Sequence, residues 1–280
     1  MKNPLHIALL TDIHAGADKG TKIGSRAPAL LDQAIAAING LKVELVVEMG
    51  DRINNATEAE ERHYLEKTAV QLRDLSAPVM HLMGNHDLVN LDPSESVRAL
   101  GMTLDSRTLD LEGWHLVFWQ ANVAITGKGF EIAQEDLDWL SRALSDSQQP
   151  TVVFSHIPFS DASMQGNYYF ERYPPGAGGY RNARRARDLL ADCPTAVLAM
   201  AGHVHWNSWH CIDGIHHLTA QSLTETFTTY PEPAGAWALL TLSEEAIKFE
   251  AFGKEPTALT LPLRPRGQRW LPAKEPVFPD

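Results

Sequence analysis

The chain reads Ile7-Ala8-Leu9-Leu10-Thr11-Asp12-Ile13-His14 close to its amino terminus, so four apolar residues lead directly to an Asp and a His. A short, continuous apolar run is typical of a strand that is buried on both faces of a sheet. The loops that follow such strands gather at one edge of an α/β sheet, where ligands bind. This stretch therefore predicts a first strand over His6–Thr11 with two polar side chains at the ligand-binding edge.

Four further segments place polar residues directly after an apolar run. They are Gly50-Asp51, Gly84-Asn85-His86-Asp87, Ser155-His156-Ile157-Pro158 and Gly202-His203-Val204-His205. We expect the five segments to meet, and converging Asp, Asn and His side chains indicate a metal site. Asp12 and His14 are two residues apart, as are His203 and His205, so on a strand the members of each pair would share a face.

Strands and helices alternate along the first third of the chain, which predicts crossover connections between parallel strands. The predicted helices are Ala27–Asn39, Glu58–Leu75 and Gln134–Leu144. The predicted strands after the first are Val43–Glu48, Val79–Leu82, Trp114–Gln120, Thr151–Phe154, Ala196–Met200, Trp209–Ile212, Ile215–Ala220, Ala236–Leu242 and Ile247–Ala251. Asp213-Gly214 predicts a hairpin turn between two of the late strands.

Composition narrows the class of protein. The 280 residues are 44% hydrophobic, which permits a large core. The net charge of -11 disfavours binding to nucleic acid. With Cys193 and Cys211 as the only cysteines, neither a disulfide framework nor a cysteine zinc site is expected. The N-terminal sequence does not resemble a signal peptide, and no stretch has the apolar length of a membrane span, so we expect a cytoplasmic protein.

We expect one catalytic domain over residues 1–254 and a Pro-rich tail over 255–280, which lies on the surface or contacts a partner subunit of a homo-oligomer. Segment 160–187 is the candidate specificity element, since a long irregular stretch inside a domain is usually functional. Its candidate substrate-binding residues are Asn167, Tyr169 and Arg181. Tyr168 and Tyr180 are further aromatic rings that, like Tyr169, could stack on a base or line an apolar pocket, and Arg172 is a second arginine for a phosphate oxygen.

Other charged residues keep two interpretations. For Arg184, Arg185 and Arg187, a solvated basic helix running to Leu190 is favoured over substrate contact. Lys19 and Lys22, in the Gly-rich loop 16–24, are either surface charges or part of a lid over a phosphate. His216 and His217 fit no motif and are interpreted as structural or surface residues.

The ordered set of Asp-x-His, Gly-Asp, Gly-Asn-His-Asp, His and Gly-His-x-His resembles the calcineurin-like metallophosphoesterases, over the range from Asp12 to His205. The resemblance implies a four-layer αββα fold, in which two mixed sheets are flanked by helices, with a dinuclear metal site at the strand ends. Asp12, His14 and His205 would bind the first ion. Asn85, His156 and His203 would bind the second, with Asp51 bridging the two ions. The donor set suits Mn, Fe, Zn or Co equally well.

The resemblance also implies catalytic residues. His86 would contact the scissile phosphate and stabilise or protonate the leaving oxygen. Asn54 stands where the protein Ser/Thr phosphatases have Asp, which favours the bacterial phosphodiesterase branch for cyclic nucleotides and glycerophosphodiesters. Asn54 would orient the phosphate or His86.

We therefore expect a dinuclear phosphodiesterase that cleaves a small phosphodiester by attack of metal-bound hydroxide. A phosphomonoesterase of the same superfamily and a non-catalytic metal-binding scaffold remain alternatives. The acidic balance of the chain disfavours nucleic-acid processing.

Overall fold

The apolar runs form buried β-strands in the computed structural model, which describes residues 3–172 and 177–263. In chain order the strands are β1 Leu5–Leu10, β2 Leu45–Glu48, β3 Val79–His81, β4 Arg107–Leu111, β5 Trp114–Phe118, β6 Thr151–Phe154, β7 Ala196–Ala201, β8 Ser208–Ile212, β9 Ile215–Thr219, β10 Trp237–Leu242, β11 Ala246–Phe252 and β12 Thr257–Pro262. The α-helices are α1 Ala27–Asn39, α2 Glu58–Leu72, α3 Pro93–Leu100, α4 Gln134–Ser145 and α5 Ala183–Asp192.

The strands assemble into two mixed six-stranded sheets. One sheet has the order β12-β11-β10-β1-β2-β3 and the other β4-β5-β6-β7-β9-β8. β1, β2 and β3 run parallel to one another, as do β5, β6, β7 and β9. The carboxyl ends of the parallel strands in each sheet therefore share one edge, and the predicted polar segments begin there.

Alternate side chains of the central strands serve different layers. Leu5, Ile7 and Leu9 of β1 belong to the apolar cluster between the two sheets, whereas Ala8 and Leu10 pack with α1. A separate cluster packs β5, β6 and β7 against α4 and α5. Because these strands are buried on both faces, they read as continuous apolar runs. The expected four-layer αββα sandwich, with two mixed sheets flanked by helices, is confirmed.

The structure adds three elements to the predicted set. β4 is a half-buried edge strand whose exposure alternates along its length, so it lacks the continuous apolar signal. α3 starts at a capping box of Asp92 and Glu95 and spans only 8 residues. β12 falls inside the range predicted as a tail, and it pairs with β11 across six residues. The rest of that tail, residues 264–280, lies outside the described residues.

One predicted helix is shorter in the structure. α2 ends at Leu72, three residues before the predicted end at Leu75.

In the two described ranges, none of the helices has the length and hydropathy that a membrane crossing requires.

Candidate metal centre

The first two polar segments are held side by side by backbone hydrogen bonds beyond the ends of β1 and β2. Asp12 N donates to Gly50 O at 2.9 Å, and His14 N donates to Asp51 O at 2.9 Å. Asp12, His14 and Asp51 all adopt positive φ angles, of 51°, 48° and 56°. Non-glycine residues rarely adopt this conformation, and such strain is concentrated at functional sites.

The pairing of Asp12 with His14 on one strand face was predicted wrongly. Both residues lie past the last residue of β1 and turn through the left-handed region, so strand alternation does not apply to them. The second sheet repeats this geometry after β7, where His203 and His205 have φ angles of 68° and 61°. The two pairs still converge, but two left-handed turns bring them together.

Two glycines allow the loops to approach each other closely. A Cβ at Gly84 would collide with the backbone and carboxylate of Asp51. A Cβ at Gly202 would collide with the Thr11 hydroxyl and come within 2.6 Å of the Asp12 carboxylate. These positions need glycine because another segment of the same chain passes against them, although neither has a positive φ.

The first group of converging donors combines residues from both sheets. Asp12, His14, Asp51 and His205 are buried, and one ligand atom from each lies within 4.8 Å of all the others. His14 Nε2 is 3.0 Å from His205 Nε2. Asp12 Oδ1 is 3.3 Å from His205 Nε2 and 3.7 Å from His14 Nε2.

A second group adjoins the first and shares one residue with it. Asp51, His156 and His203 are buried and offer ligand atoms within 4.8 Å of one another. Asp51 Oδ2 lies 3.4 Å from His156 Nε2 and 3.7 Å from His14 Nε2, so one carboxylate oxygen faces both groups. Asn85 Oδ1 lies 3.3 Å from His156 Nε2, on the side of the second group.

Hydrogen bonds on the far side of each ring fix its orientation. His205 Nδ1 is 2.8 Å from Glu225 Oε2, and His156 Nδ1 is 2.8 Å from the carbonyl of Met49. His203 Nε2 is 2.8 Å from Ala177 O. Each of these nitrogens donates to its oxygen, so the other ring nitrogen of each residue faces the cluster and is the atom that would bind a metal ion.

The surroundings shift the pKa values of the cluster histidines in opposite directions. Burial alone lowers the pKa of His205, but the carboxylates of Asp12 and Glu225 outweigh burial and raise the pKa to about 9. Burial also opposes the charged form of His156, whose pKa the Asp51 carboxylate nevertheless raises to about 9. By contrast, burial and the neighbouring His156 lower the pKa of His203 to about 3.

The residues fit the two ions that the donor pattern implies. Asp12 Oδ1 and Asp51 Oδ2 are buried and accept no hydrogen bond from the described residues, although both point into the cluster. A buried carboxylate oxygen without a partner is costly, and a cation between the two groups would satisfy both atoms. The donors are carboxylate oxygens and imidazole nitrogens, which suit borderline divalent metals.

A buried ionic network lies beneath the Asp51 loop. The Asp87 carboxylate accepts from the backbone N–H groups of Gly84, Asp51 and Arg52, at 2.9, 3.0 and 2.9 Å. Arg52 Nη1 donates to Asp87 at 2.8 Å, and its Nη2 pairs with Glu48. This network holds the backbone that carries Asp51, so Asp87, the last residue of the Gly-Asn-His-Asp segment, has a positioning role.

His86 borders the cluster and is separate from both donor groups. Its Nε2 lies 4.0 Å from Asp51 Oδ2, and its side chain is 24% exposed, so it can reach a bound molecule. Its Nδ1 bonds to Asn55 Oδ1, which orients the ring. Burial lowers the pKa of His86 to about 4, although Asp51 opposes this shift.

The prediction that Asn54 orients His86 is wrong, because the neighbouring Asn55 makes that bond. Asn54 is buried under the Gly-rich loop, where its Nδ2 donates to Ala17 O at 3.0 Å and its backbone N to Ala15 O at 3.0 Å. Its side chain therefore supports the loop. A contact between Asn54 and the phosphate stays a prediction.

Asn167 and Tyr169 connect segment 160–172 to the metal loops. Asn167 is fully buried, donates to Val204 O at 2.9 Å and accepts from the backbone of Tyr169 and Phe170. These bonds favour a positioning role for Asn167 over the predicted substrate contact. The hydroxyl of Tyr169 accepts from Thr21 N and Oγ1 at 3.2 and 3.1 Å, and its ring centroid lies 6.5 Å from that of His205.

The remaining predicted residues of this segment lie farther out. The Arg181 side chain is 43% exposed, and its nearest acidic partner is Glu131 at 4.0 Å. Tyr180 is buried against Trp119 and Phe130, which favours the apolar-lining interpretation of this residue over stacking on a base. Arg172 lies over the Tyr168 ring at 5.6 Å.

The basic run that follows starts α5, as the favoured interpretation holds. Arg184 is exposed, whereas Arg187 donates to Ser160 O at 2.9 Å. Arg187 therefore ties α5 to the beginning of segment 160–172.

Several supporting residues carried no signal in the sequence. Glu225, Asn55 and Glu48 stand outside every metal-binding motif, and their roles depend on contacts between distant segments. Arg52 directly follows Asp51, but its burial could not be inferred from that position. Only the tertiary structure identifies these residues.

Comparison with known proteins agrees with this geometry. A model of the calcineurin-like phosphoesterase family matches residues 5–207. The chain is 22% identical over 203 residues to a probable cyclic nucleotide phosphodiesterase from Psychrobacter sp. (strain PRwf-1), a match that covers 67% of this chain and 53% of the relative. The chain thus spans about half the length of that curated relative.

Solved structures share the fold at low sequence identity. A dimetal phosphatase from Danio rerio superposes with a TM-score of 0.76 at 17% identity, covering 93% of this chain and 99% of the other. A purple acid phosphatase from yellow lupin (Lupinus luteus) seeds gives a TM-score of 0.63 at 14% identity, covering 94% and 54% of the two chains. At such identities the likeness concerns the fold.

Proposed function

Because this chain belongs to the calcineurin-like phosphoesterase family, we propose that it is a dinuclear metal-dependent phosphodiesterase that hydrolyses a small phosphodiester. The observation that carries the proposal is the pair of adjoining donor groups that share Asp51, each with a buried carboxylate oxygen that lacks a hydrogen bond among the described residues. The name of the curated relative, a probable cyclic nucleotide phosphodiesterase, supports diester cleavage.

Each donor group would hold one ion. Asp12, His14 and His205 would bind the first, and Asn85, His156 and His203 the second, with Asp51 between them. A pair of divalent ions a few ångströms apart polarises a phosphoryl group and supplies a hydroxide nucleophile for in-line displacement.

The side chains of the site contribute positioning and charge. The bonds from His205 to Glu225 and from His156 to Met49 O hold the rings still, so the ligand atoms need no rearrangement before a substrate arrives. The hydrogen bonds from Thr11 Oγ1 and His203 N to Asp12 Oδ2, at 2.6 and 2.9 Å, fix that carboxylate. The ligand oxygen Oδ1 is thereby aimed into the cluster.

His86 is the candidate residue for the leaving group. Its Nδ1 is held by Asn55, so Nε2 is the atom that would carry a proton to the departing oxygen. An anionic phosphoester next to the ring would favour the protonated form of a His whose pKa is otherwise lowered to about 4. The proposed role of His86 is therefore that of a general acid or hydrogen-bond donor.

The test compares hydrolysis of bis(4-nitrophenyl) phosphate and 4-nitrophenyl phosphate by chelator-treated protein, after Mn, Fe, Co, Zn or Mg is added back. Asp51→Asn provides the site variant, and Asp138→Asn, an exposed carboxylate on α4, provides the matched control. We expect metal-dependent turnover of the diester, little of it in Asp51→Asn, and wild-type rates in Asp138→Asn. Turnover of the monoester alone would contradict the proposal, and ion binding without turnover of any ester would favour a scaffold.

A further inference from the structure

Lys22 is a buried cation on the Gly-rich loop beside the metal centre. Only 7% of its surface is exposed, whereas Lys19 of the same loop lies in solvent. The backbones of the two lysines are joined by hydrogen bonds of 2.9 and 3.1 Å, and Ile23 N donates to Thr224 O at 3.0 Å. The main chain of Lys22 is therefore fixed between the turn of its own loop and the segment that carries Glu225.

Lys22 lies opposite Glu225 in an isolated β-bridge, and Glu225 in turn holds the ring of His205 in the first donor group. Burial lowers the pKa of Lys22, while Asp51, Glu225 and Asp12 oppose that shift. The positive charge of Lys22 also lowers the pKa of His14 and of His86, after the effect of burial on each. The ammonium thus interacts with residues of the first donor group and with the candidate leaving-group residue.

Lys22 nevertheless makes no direct ion pair with the residues that the structure describes. Over residues 3–172 and 177–263, no carboxylate oxygen lies within 4.0 Å of its nitrogen, and the ammonium makes no hydrogen bond. Its nitrogen is also absent from the fully enclosed polar atoms without a partner, so it keeps contact with solvent. Lysine is rarely buried without a partner, since its charge loses hydration. The arrangement is that of a cation held ready for an anion that arrives from solution.

We propose that Lys22 is a substrate-binding residue whose ammonium contacts a non-bridging oxygen of the phosphoryl group at the metal centre, an inference that rests on the proposed function. A phosphodiester brings negative charge into the cluster, and charge on the phosphoryl oxygens must be stabilised during displacement. A cation carried on this fixed stretch of backbone would stabilise the charge on the phosphoryl oxygens. Arg181, the arginine expected to contact the phosphate, is half exposed and faces Glu131, so Lys22 is better placed.

The test uses inorganic phosphate as the probe and calorimetry of the Mn-loaded protein as the readout. Lys22→Met removes the charge while keeping a long side chain, Lys22→Arg restores a charge, and Lys19→Met is the matched control. We expect phosphate to bind roughly 10- to 100-fold more weakly to Lys22→Met, as for loss of a hydrogen bond to a charged group. Lys22→Arg should recover part of the affinity, and Lys19→Met should stay within about twofold of wild type.

Metal content and kinetics separate substrate binding from a structural role. Lys22→Met should keep the wild-type number of ions per chain, and its KM for bis(4-nitrophenyl) phosphate should rise together with any fall in kcat. Phosphate affinity that is unchanged in Lys22→Met, with both ions in place, would overturn the inference. So would a wild-type protein that does not bind phosphate.

A crystal structure of the wild-type protein with Mn and phosphate tests the same contact without any variant. An ammonium of Lys22 farther than about 4 Å from every phosphate oxygen would overturn the inference even if Lys22→Met failed to fold. Failure of the proposed function looks different. In that case phosphate affinity would depend on Lys22, but the wild-type enzyme would not hydrolyse the diester.

Discussion

His14 Nε2 and His205 Nε2 lie 3.0 Å apart, although the two residues are 191 positions apart and follow strands of different sheets. His205 donates its Nδ1–H to Glu225, so Nε2 is the ring atom that faces His14. Asp12 Oδ1, which accepts no hydrogen bond from the described part of the chain, lies within 3.7 Å of both nitrogens. Three electron-rich atoms that face one another in a buried site are arranged for a cation, and the following predictions start from that arrangement.

Asp51→Asn should remove the carboxylate that both donor groups share. The second group then keeps only its two histidines and Asn85, so we expect fewer than two ions per chain. Diesterase activity should fall on the order of 10³-fold or more, because metal stabilisation of the transition state is worth several kcal/mol. Metal analysis by mass spectrometry and initial rates would measure both effects. Two tightly bound ions in Asp51→Asn would show that Asp51 does not bridge.

Glu225→Gln should weaken the metal centre without removing a ligand. A glutamine oxygen can still accept from His205 Nδ1, but the negative charge that raises the pKa of His205 is lost. Loss of such a supporting interaction typically lowers metal affinity about 10- to 100-fold. Chelator competition would measure the change, with Glu232→Gln, an exposed carboxylate nearby, as the control. Equal affinities in the two variants would contradict the role of Glu225.

His86→Ala should lower the rate of hydrolysis by an amount that depends on the leaving group of the substrate. An alkyl leaving group needs a proton, whereas 4-nitrophenolate departs readily without one, so the loss should be larger for an alkyl diester. General acid catalysis contributes about 10²- to 10⁴-fold, which bounds the expected difference between the two substrates. Steady-state kinetics with both substrates would test this, with metal content checked as unchanged. A loss of the same size for both leaving groups would rule out proton donation.

His217 should make stability depend on pH. It is buried in β9 against Phe159, and burial first, then the charges of Arg187, His210 and His216, lower its pKa to about 4. An unfolded His titrates near about 6.5, so the unfolded chain binds the extra proton between these values. The contribution of neutral His217 to the free energy of unfolding is therefore complete above about pH 6.5 and is lost as the pH falls towards 4.

Urea unfolding at pH 7.5 and 5.0 would measure this contribution. His217→Gln should lose about 2 kcal/mol less stability than wild type between the two values, at about 1.4 kcal/mol per unit of pH below 6.5. His63→Gln, at an exposed site, should behave as wild type. Identical pH dependence in wild type and His217→Gln would mean that His217 is not held neutral by the fold.

The sequence predicted those parts of the structure that depend on local pattern. α1 spans Ala27–Asn39 as expected, and β6 spans Thr151–Phe154, because burial on both faces leaves a plain apolar run. The pairing of β10 with β1 joins Leu242 to Leu5, and no local pattern contains that information. The four-layer architecture was therefore expected from the family resemblance and not from periodicity.

In the candidate site, too, local patterns predicted some residues, while contacts between distant segments decided others. The donors were identified from the order of their motifs, and the structure gathers them in one cluster. Asn55 could not be chosen over Asn54, because the chain has left regular structure after Asp51 and no periodicity tells which side chain faces His86. Lys22 had two interpretations for a similar reason, since burial of a loop residue is decided by the distant segment 224–226.

The assembly of the first donor group from both sheets has a consequence for folding. We expect contacts between residues 191 positions apart to form late in folding, because closing so long a loop costs entropy. The first sheet supplies Asp12, His14 and Asp51, and the second supplies only His205, so the complete set of donors exists only after the sheets have docked. An ion bound after docking would link the two sheets, and slow release of that ion would then limit the rate at which the native protein unfolds.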